Sequence, residues 1–442
     1  MQTFGSWLVT LLAASAELAS ALPQRMDLVQ PQQHAQARAP GHRLSVPVVH
    51  NPKRRSNLAH PALARAKALR KYGGTLPTSV QSVVDRITLA AASKKRGTEE
   101  GTVAATSSDD DTEWVATISV GTPAQTLPMD FDTGSSDLWV MSSSSSGTSG
   151  HKTYDASSST SATKMDGSTW SISYGDGSSS SGTVYKDTVT IGNLTVSSQA
   201  VEVATTVSAE FTEDTAISGL VGLAMSSINT VEPTPQQTWF DNIKSSLESP
   251  LFTADLKHET TGSYNFGYID ASAHTGTVYY ADLITSGEYG GFWTFAASGY
   301  TKSRRATKTT PAGLTVTRAD TAITGIADTG TTLLMLPDTV VSAYYAQVSG
   351  ATDSEEEGGY IFSCSADLPD FTFGVGDGEI TVPGSYINFE PISTGSSQCY
   401  GGIQSDSGIG MAIFGDIALK AALVVFDSGN SRLGWAAKDT SS

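Results

Sequence analysis

The tripeptide Asp-Thr-Gly occurs twice in this chain of 442 residues, at 132–134 and at 328–330. Each copy follows apolar residues and is itself followed by Ser or Thr. Two apolar residues and a glycine recur at nearly the same distance after each copy, at 220–222 and at 413–415. One such triplet would be an ordinary turn, but the matched pairs form a distant internal repeat. The sequence therefore predicts two homologous lobes, each the size of one domain.

Strand-like patterns dominate the chain from Glu113 onward. Residues 114–120 alternate between two faces, and Gly121-Thr122-Pro123 supplies a turn. Short apolar and Thr-rich runs, separated by Gly, Ser and Asp, recur to the end of the chain. We therefore expect an all-β protein with a few small helices. Two helices are predicted, one starting at Pro235 with Trp239, Ile243 and Leu247 on one face, the other starting at Pro337 with Val341, Tyr344 and Val348.

The N-terminus carries an apolar run from Trp7 to Ala16, followed by small residues up to Ala21. This run is too short to cross a bilayer and predicts a secretory signal peptide over residues 1–21. A buried apolar helix is the alternative, which Glu17 disfavours. No later stretch predicts a membrane span, and no hydrophobic tail predicts a lipid anchor. We expect a secreted, extracellular protein with no membrane partner.

Charge divides the rest of the chain into two parts. Residues 22–96 hold 14 basic and 2 acidic residues, a net charge of +12, whereas residues 97–442 hold 13 basic and 41 acidic residues, a net charge of −28. The basic part ends at Lys94-Lys95-Arg96, which is typical of a dibasic processing site. Opposite charges predict that the two parts bind each other. In a secreted protein this favours an inhibitory propeptide over a nucleic-acid-binding segment or an ordinary solvated charge run.

Two cysteines and one sequon also suit an oxidising compartment. Cys364 and Cys399 most simply form a disulfide, and the alternative of a catalytic thiol is weaker because neither lies beside a histidine. Asn193-Leu194-Thr195 is a candidate glycosylation site.

The two Asp-Thr-Gly loops suggest a specific chemistry if they meet on a pseudo-twofold axis. Asp132 and Asp328 would then lie about 3 Å apart and share one proton, which leaves one acid and one base side by side. A water between them could be deprotonated and attack a peptide carbonyl while the protonated carboxyl stabilises the oxygen. No metal, other cofactor or covalent intermediate is needed for such a step.

The neighbouring residues fit this arrangement. Gly134 and Gly330 lack a Cβ and would let the loops approach closely. Thr133 and Thr329 could exchange hydroxyl hydrogen bonds across the axis. Ser135 and Thr331 could donate to the outer carboxylate oxygens, although ordinary turn chemistry is the plainer interpretation of these hydroxyls.

A hairpin is predicted around residues 174–178, because Trp170, Ile172 and Tyr174 alternate on one arm and Asp176-Gly177 favours a tight turn. Glycine and serine up to residue 182 would keep its tip mobile, as a lid requires. A plain surface hairpin is the alternative.

Five stretches resemble the pepsin-like aspartic proteases, most closely the secreted fungal group of penicillopepsins and aspergillopepsins. They are MDFDTGSSDLWV (129–140), SYGDGS (173–178), GLVGLAMSSINTV (219–231), GIADTGTTLLML (325–336) and GGIQSDSGIGMAIFGDIALKAALVVFD (401–427). The resemblance implies a bilobal fold with a long cleft, an N-terminal lobe with a flap over residues 97–285 and a C-terminal lobe over residues 286–442. It also implies a monomeric endopeptidase that cleaves polypeptides in acid.

The resemblance assigns roles to particular residues. Asp132 and Asp328 would be catalytic, Trp139 would hydrogen-bond the flap residue Tyr174, and Cys364 and Cys399 would match the C-lobe disulfide. Residues expected to bind substrate or support the site are Tyr174, Gly175, Asp176, Ser178, Gly134, Ser135, Gly330, Thr331, Thr332 and Trp139.

The resemblance also makes two predictions about specificity and control. An aspartate at the position of Asp176 would admit lysine before the scissile bond, besides large apolar residues. The pair Lys71-Tyr72 resembles the residues that occupy the active site in zymogens, so residues 22–96 would form an activation propeptide released in acid.

Two features depart from the family pattern. Ser218 stands where relatives usually carry Asp, which would alter a subsite. The segment 302–320 is longer than in close relatives and holds five basic residues. An exposed hairpin open to proteolytic nicking is the plainer interpretation of this insertion, and a second processing site or a contact with the acidic body is the sharper one.

Other classes of function fit the sequence less well. An inactive relative that only binds peptides would usually lack part of one triplet, and both are complete. A glycosidase would need its carboxylates about 5 Å or more apart. The histidines show no HExxH pattern for zinc, and no Gly-x-Ser-x-Gly elbow is present for a serine hydrolase.

Overall fold

A computed structural model describes residues 41–50, 60–94, 114–174, 178–258, 260–303 and 322–440 of the chain. Strands make up most of the secondary structure in these ranges, and the helices are few and short. The predicted all-β class is therefore confirmed. The predicted signal peptide (1–21), the processing site after Lys94, the hairpin tip (175–177) and most of the 302–320 insertion lie outside the described residues.

The helices and strands have the following bounds. The α-helices of the described residues are α1 Ala62–Lys71, α2 Thr78–Lys94, α3 Ala209–Glu213, α4 Trp239–Ile243, α5 Asp338–Tyr345, α6 Gly384–Ile387 and α7 Asp416–Leu419. The strands up to residue 303 are β1 Leu44–His50, β2 Trp114–Val120, β3 Gln125–Asp132, β4 Leu138–Val140, β5 Thr163–Ser173, β6 Ser179–Ile191, β7 Leu194–Val207, β8 Gly219–Gly222, β9 Leu251–Asp255, β10 Gly262–Phe266, β11 Tyr279–Asp282, β12 Thr294–Ala297 and β13 Tyr300–Ser303. The later strands are β14 Ile323–Ala327, β15 Leu334–Leu336, β16 Thr352–Ser354, β17 Gly359–Ser363, β18 Asp370–Val375, β19 Gly378–Val382, β20 Asn388–Pro391, β21 Gln398–Gly401, β22 Ile403–Ser405, β23 Ala412–Phe414, β24 Ala422–Asp427 and β25 Arg432–Ala437.

One large sheet joins both halves of the chain. Its strand order is β11-β25-β24-β9-β10-β1-β2-β3-β8-β4-β7-β6-β5, and three smaller sheets are formed mainly by later strands. Strands β24 and β25 come from the end of the chain yet pair with β9 and β11. Strands on both sides of the predicted lobe boundary at residue 285 thus share this sheet, and the boundary itself stays a prediction.

The internal repeat corresponds to a repeated pairing of strands. β3, which ends at Asp132, runs parallel to β8 with Asp132 opposite Gly222. β14, which ends just before Asp328, runs parallel to β23 with Ala327 opposite Phe414. In each half a further strand, β4 or β15, pairs antiparallel with the same partner. The two recurring apolar-apolar-glycine segments are therefore the strands that position the two aspartates.

The core is built from the inward faces of these strands. Alternation along β2 is as predicted, because its even-numbered residues are buried and its odd-numbered residues are partly or fully exposed. Phe252 of β9 stacks on Phe426 of β24 with ring centroids 4.5 Å apart, and Trp293 contacts both rings edge-on. Aromatic packing of this kind fixes the end of the chain against its middle.

The basic segment 22–96, called the leader below, contributes structure that the sequence analysis did not predict. Leu44, Val46 and Val48 of β1 are buried, and β1 pairs antiparallel with β10 and, at its end, with β2. Helices α1 and α2 then pack on apolar residues of the later half, including Leu333, Met335 and Ile413. The alternating apolar residues of β1 were the signal for this strand.

The two predicted helices are shorter in the structure, since α4 ends at Ile243, before Leu247, and α5 ends at Tyr345, before Val348. The helix expected to start at Pro235 starts at Trp239, because the Thr238 hydroxyl accepts a hydrogen bond from Asp241 N and caps it. The backbone amide of Gln236 instead donates a hydrogen bond to Asn229 Oδ1. The second helix begins directly after Pro337, as predicted. No helix in the described part of the chain is long and apolar enough to cross a membrane.

Candidate active site

The two aspartates lie at equivalent positions in the repeated strand arrangement. Asp132 is the last residue of β3, and Asp328 directly follows β14. Their side chains are 1 % and 0 % exposed, so neither carboxyl group is solvated by bulk water. The carboxyl ends of two strands in different halves of the molecule thus place both acids in the interior.

Each carboxylate is held by donors from its own loop. The amide of Gly134 donates to Asp132 Oδ1 at 2.8 Å, and the amide of Gly330 donates to Asp328 Oδ1 at 2.9 Å. The hydroxyl of Ser135 donates to Asp132 Oδ2 at 2.6 Å, and the Thr331 hydroxyl donates to Asp328 Oδ2. The hydroxyl contacts are as predicted, and such donors favour the ionised form of a carboxyl group.

The glycines of the two triplets bring the loops together. A Cβ built on Gly134 would lie 2.4 Å from Asp328 Oδ1, and one built on Gly330 would lie 2.3 Å from Asp132 Oδ1. Neither position has room for a side chain, since each glycine faces the aspartate of the opposite loop. This is the close approach predicted from the absence of a Cβ.

Two leader residues lie against the aspartates. Lys71, the last residue of α1, places its Nζ 2.8 Å from Asp132 Oδ1 and 3.0 Å from both carboxylate oxygens of Asp328. The hydroxyl of Tyr72 donates to Asp328 Oδ2 at 2.7 Å, and its ring packs edge-on against Phe292. In the full-length chain, therefore, a cation and a phenol from the leader occupy the space between the two carboxyl groups.

Burial and the neighbouring charges set the protonation of this cluster. Burial raises the pKa of Asp132, and Lys71 only partly opposes this. Burial acts on Asp328 as well, but Lys71 and the hydroxyls of Thr331 and Tyr72 lower the pKa of Asp328 below its usual value. Burial by itself would favour a neutral Lys71, but the two carboxylates raise the pKa of Lys71 above its usual value. We infer a charged lysine facing an ionised Asp328.

The hairpin formed by β5 and β6 contributes Tyr174 to the lining of a cavity that Asp132 and Lys71 also line. Tyr174, at the end of β5, is buried, and its hydroxyl accepts a hydrogen bond of 2.8 Å from Trp139 Nε1. The carbonyl oxygen of Ser178 accepts a hydrogen bond from the Tyr174 amide at 2.8 Å. Gly175 and Asp176 lie outside the described residues.

A cavity beside Asp132 shows which further residues share the site. It is lined by Lys67, Lys71, Asp130, Asp132, Tyr174, Phe211, Ile217, Leu220 and Gly330. Sequence reasoning missed Asp130 and Lys67. Both had a signal, because Asp130 lies two residues before Asp132 on the same strand face, and Lys67 lies one helical turn before Lys71.

No hydrogen bond to the aspartates is described for four further residues singled out in the sequence and for Asn193, among the residues that the structure describes. Thr332 is half-buried, and its carbonyl oxygen accepts a hydrogen bond from Ile417 N. Ser218 is fully buried. Its amide donates a hydrogen bond to Pro128 O, and its carbonyl oxygen accepts one from Met141 N. Asn193 lies exposed in the turn between β6 and β7. Cys364 and Cys399 form a disulfide, as expected.

Two β-lobes, each presenting an aspartate on an Asp-Thr-Gly loop to the other, define a bilobal pepsin-like aspartic protease. The family model described as eukaryotic aspartyl protease matches residues 113–438, and the chain belongs to this family. It is an aspartic endopeptidase of the fungal pepsin-like group and acts on polypeptides.

Several relatives are similar over most of their length. The chain is 50 % identical to endothiapepsin of Cryphonectria parasitica over 98 % of both chains. It is 51 % identical to aspergillopepsin-1 of Aspergillus oryzae over 86 % of this chain and 89 % of the relative. It is 50 % identical to penicillopepsin-3 of Penicillium janthinellum over 85 % and 88 %, respectively. The crystal structure of an aspartic proteinase from Irpex lacteus is 24 % identical and matches the fold with a TM-score of 0.61, covering 75 % of this chain and 96 % of that chain.

Proposed function

We propose that Asp132 and Asp328 are the catalytic pair of this endopeptidase and that they activate a water molecule for attack on the peptide carbonyl. The observation that carries the proposal is the reciprocal fit of the two loops, in which each glycine leaves room only for the opposite carboxylate. Two carboxyl groups that face each other this closely share one proton over the acid range. The ionised member takes a proton from water, and the protonated member donates to the carbonyl oxygen.

The chain is made as a zymogen in which residues 22–96 are the inhibitor. Lys71 supports this function, since its ammonium group lies where the attacking water and the substrate carbonyl would bind. Further leader cations contact the acidic body: Arg65 Nη1 donates to Gly358 O at 2.9 Å, and Arg86 lies 3.6 Å from the carboxylate of Glu357. Protonation of body carboxylates such as that of Glu357 in acid weakens the ionic contacts and releases the leader.

The substrate preference follows from the cavity beside Asp132. Its wall of Phe211, Ile217 and Leu220 suits a large apolar side chain next to the scissile bond. Lysine is also accepted, with Asp176 on the flap as its partner. If Asp176→Ser leaves cleavage after lysine unchanged relative to cleavage after phenylalanine, this assignment is wrong.

The protein is secreted after removal of residues 1–21, and its mature form starts near Gly97. A disulfide between Cys364 and Cys399 is compatible with an oxidising compartment. The exposed position of Asn193 leaves it accessible for glycosylation. Mass spectrometry of the secreted protein, before and after glycosidase treatment, tests the N-terminus and the glycan together.

Proteolysis of a denatured protein between pH 3 and 7 tests the catalytic pair. Processed wild type should cleave in the acid range, and both pepstatin and Asp132→Asn should abolish cleavage. Asp377→Asn, at an exposed aspartate in the turn between β18 and β19, is the matched control and should remain active. Full activity of a correctly processed Asp132→Asn variant would refute the proposed pair.

The release of the leader in acid has its own test. After cleavage at residues 94–96, the leader should co-elute with the body in size-exclusion chromatography at pH 7 and separate from it at pH 4. Co-elution of the leader with the body at both pH values would rule out release by loss of opposite charge.

A further inference from the structure

His151 contacts two carbonyl oxygens through its two ring nitrogens. Nδ1 lies 2.8 Å from Ile217 O, and Nε2 lies 3.1 Å from Thr212 O. A carbonyl oxygen only accepts hydrogen bonds, so each contact requires a hydrogen on the nitrogen. A neutral imidazole carries one such hydrogen and an imidazolium carries two. Only the doubly protonated ring therefore satisfies both contacts.

The two carbonyl groups bracket a segment that forms a wall of the site. Thr212 lies within α3, and Ile217 lies just before β8. Ile217 and the neighbouring Phe211 both line the cavity beside Asp132. The Phe211 ring also packs edge-on against Tyr174, with centroids 5.2 Å apart, and against Trp139 at 4.9 Å. A shift of this segment would therefore move the cavity wall and the support of the flap tyrosine together.

The loop that carries His151 is itself anchored to the lobe. The hydroxyl of Ser145 donates to Ala204 O of β7 at 2.6 Å, and the amide of Tyr154 donates to Met141 O at 2.8 Å. A Cβ on Gly147 would lie 3.3 Å from the side chain of Thr212, so the loop backbone runs close to the segment. His151 thus joins a fixed loop to both ends of the wall segment.

Both elements carry charged residues in the sequence near the histidine. The wall segment carries Glu210, Glu213 and Asp214, and the loop carries Lys152 and Asp155. The Asp155 carboxylate accepts from Ser157 and Ser158, and Asp214 Oδ1 accepts from Ala216 N. The hydrogen bonds described for the His151 ring go to the backbone carbonyl oxygens of Ile217 and Thr212.

We propose that His151 is a positioning residue which, when doubly protonated, holds the 212–217 wall in place for the substrate side chain next to the scissile bond. This inference rests on the proposed function, because it takes the cavity beside Asp132 as the substrate pocket. A ring that loses one of its two hydrogens keeps only one of the two hydrogen bonds, so the hold on this wall depends on the protonation of the ring.

Steady-state kinetics of the processed enzyme test the proposal. A peptide with phenylalanine before the scissile bond is cleaved by wild type, His151→Ala and the control His274→Ala at pH values from 4 to 6.5. The KM of His151→Ala should exceed that of wild type by about fivefold at pH 4 and approach it at pH 6.5, with kcat unchanged. His274→Ala should match wild type throughout. Taking the ratio of the two enzymes cancels the titration of the aspartate pair.

Three results would overturn the proposal: an equal KM at pH 4, a KM ratio that does not vary with pH, or a loss confined to kcat. If His151→Ala does not fold, long-range proton–nitrogen correlation spectra of wild type labelled with ¹⁵N-histidine decide instead. At pH 4.5 both ring N–H protons of His151 should be visible and protected from water exchange. Rapid exchange of either proton would contradict the proposed pair of hydrogen bonds.

The two proposals can fail separately. An active Asp132→Asn variant would refute the catalytic pair, yet the protected ring protons of His151 would still be observed.

Discussion

Thr133 and Thr329 hold the two halves of the site together by exchanging hydrogen bonds. The amide of each residue donates to the hydroxyl of the other at 3.0 Å. The Thr133 hydroxyl in turn donates to Ala327 O at 2.9 Å, and the Thr329 hydroxyl donates to Phe131 O at 2.7 Å. Ala327 and Phe131 directly precede the two aspartates, so these four hydrogen bonds fix both carboxyl groups relative to each other.

Removing one hydroxyl from this arrangement should destabilise the contact between the halves. In Thr329→Val the shape is kept, but Thr133 N loses its acceptor in a buried place, whereas Phe131 O still accepts a hydrogen bond from the Tyr264 hydroxyl. A buried group left unsatisfied costs about 1–3 kcal/mol. We expect the free energy of unfolding in urea to fall by about 1–3 kcal/mol. Thr329→Ser keeps the hydroxyl and should lose much less, and equal stability of Val and Ser variants would show that the hydrogen bonds contribute little.

Replacing Lys71 should weaken the hold of the leader. Lys71→Met leaves Asp132 and Asp328 buried without a cation, and breaking a buried ion pair in this way is strongly destabilising. The unprocessed chain, with residues 94–96 changed to glutamine, should cleave a fluorogenic peptide at pH 6 at least tenfold faster than its Lys71 counterpart. Arg70→Met is the matched control, since Arg70 is half-buried and the hydrogen bond described for its side chain goes to Gln81. Equal rates for both variants would argue against the lysine as the inhibitory group.

A buried pair of acids should limit stability at higher pH. Burial raises the pKa of Glu202 well above its usual value and also raises that of Asp137, and Asn229 Nδ2 donates to Glu202 Oε1 at 2.8 Å. The folded protein therefore retains a proton that the unfolded chain releases above about pH 4.3. The stability linked to this proton is complete below that pH and declines as the pH rises through the folded-state pKa.

Glu202→Gln should remove this dependence, because the amide carries its hydrogens at every pH. We expect its melting temperature to fall less than that of wild type between pH 5 and 8, by about 2–4 °C for each kcal/mol retained. Glu355→Gln, at an exposed glutamate, should follow wild type. Parallel melting curves for the Glu202 variant and wild type would refute a proton held by this pair.

His60 should help to release the leader in acid. Its Nδ1 accepts a hydrogen bond from Ala62 N at 3.1 Å near the start of α1, and its Nε2 lies 2.8 Å from Glu357 Oε2. Burial lowers the pKa of His60, with Arg86 acting in the same direction and Glu357 opposing it. Neutral His60 therefore stabilises docking of the leader above about pH 6.5. This stabilisation is lost as the pH falls through the lowered pKa of His60.

A glutamine at position 60 can make both contacts at every pH. His60→Gln should therefore shift the midpoint of leader release, followed on gels between pH 3 and 7, to lower pH by about half a unit. His42→Gln, at an exposed leader histidine, is the control and should not shift it. An unchanged or raised midpoint in His60→Gln would exclude this histidine from the acid response.

Local sequence determined much of this protein. The doubled Asp-Thr-Gly and the recurring apolar-apolar-glycine segments predicted the repeat, because close approach of two loops needs glycine and a buried strand needs apolar residues. Alternation along residues 114–120 predicted the faces of β2, and Pro337 predicted the start of α5. The faces of β2 and the start of α5 depend on interactions within a few residues along the chain, and the repeat is visible as a pattern of residue types.

Only the tertiary structure decided which of these local elements meet. Lys71 is 61 residues from Asp132 and 257 from Asp328 along the chain; the family resemblance suggested that it enters the site, but no local pattern specifies that its ammonium lies between the two carboxylates. The place of β1 between β10 and β2, and the contact of His151 with the carbonyl groups of Thr212 and Ile217, are of the same kind. Periodicity determines which face of an element is apolar, whereas long-range packing and hydrogen bonding select the face that it contacts.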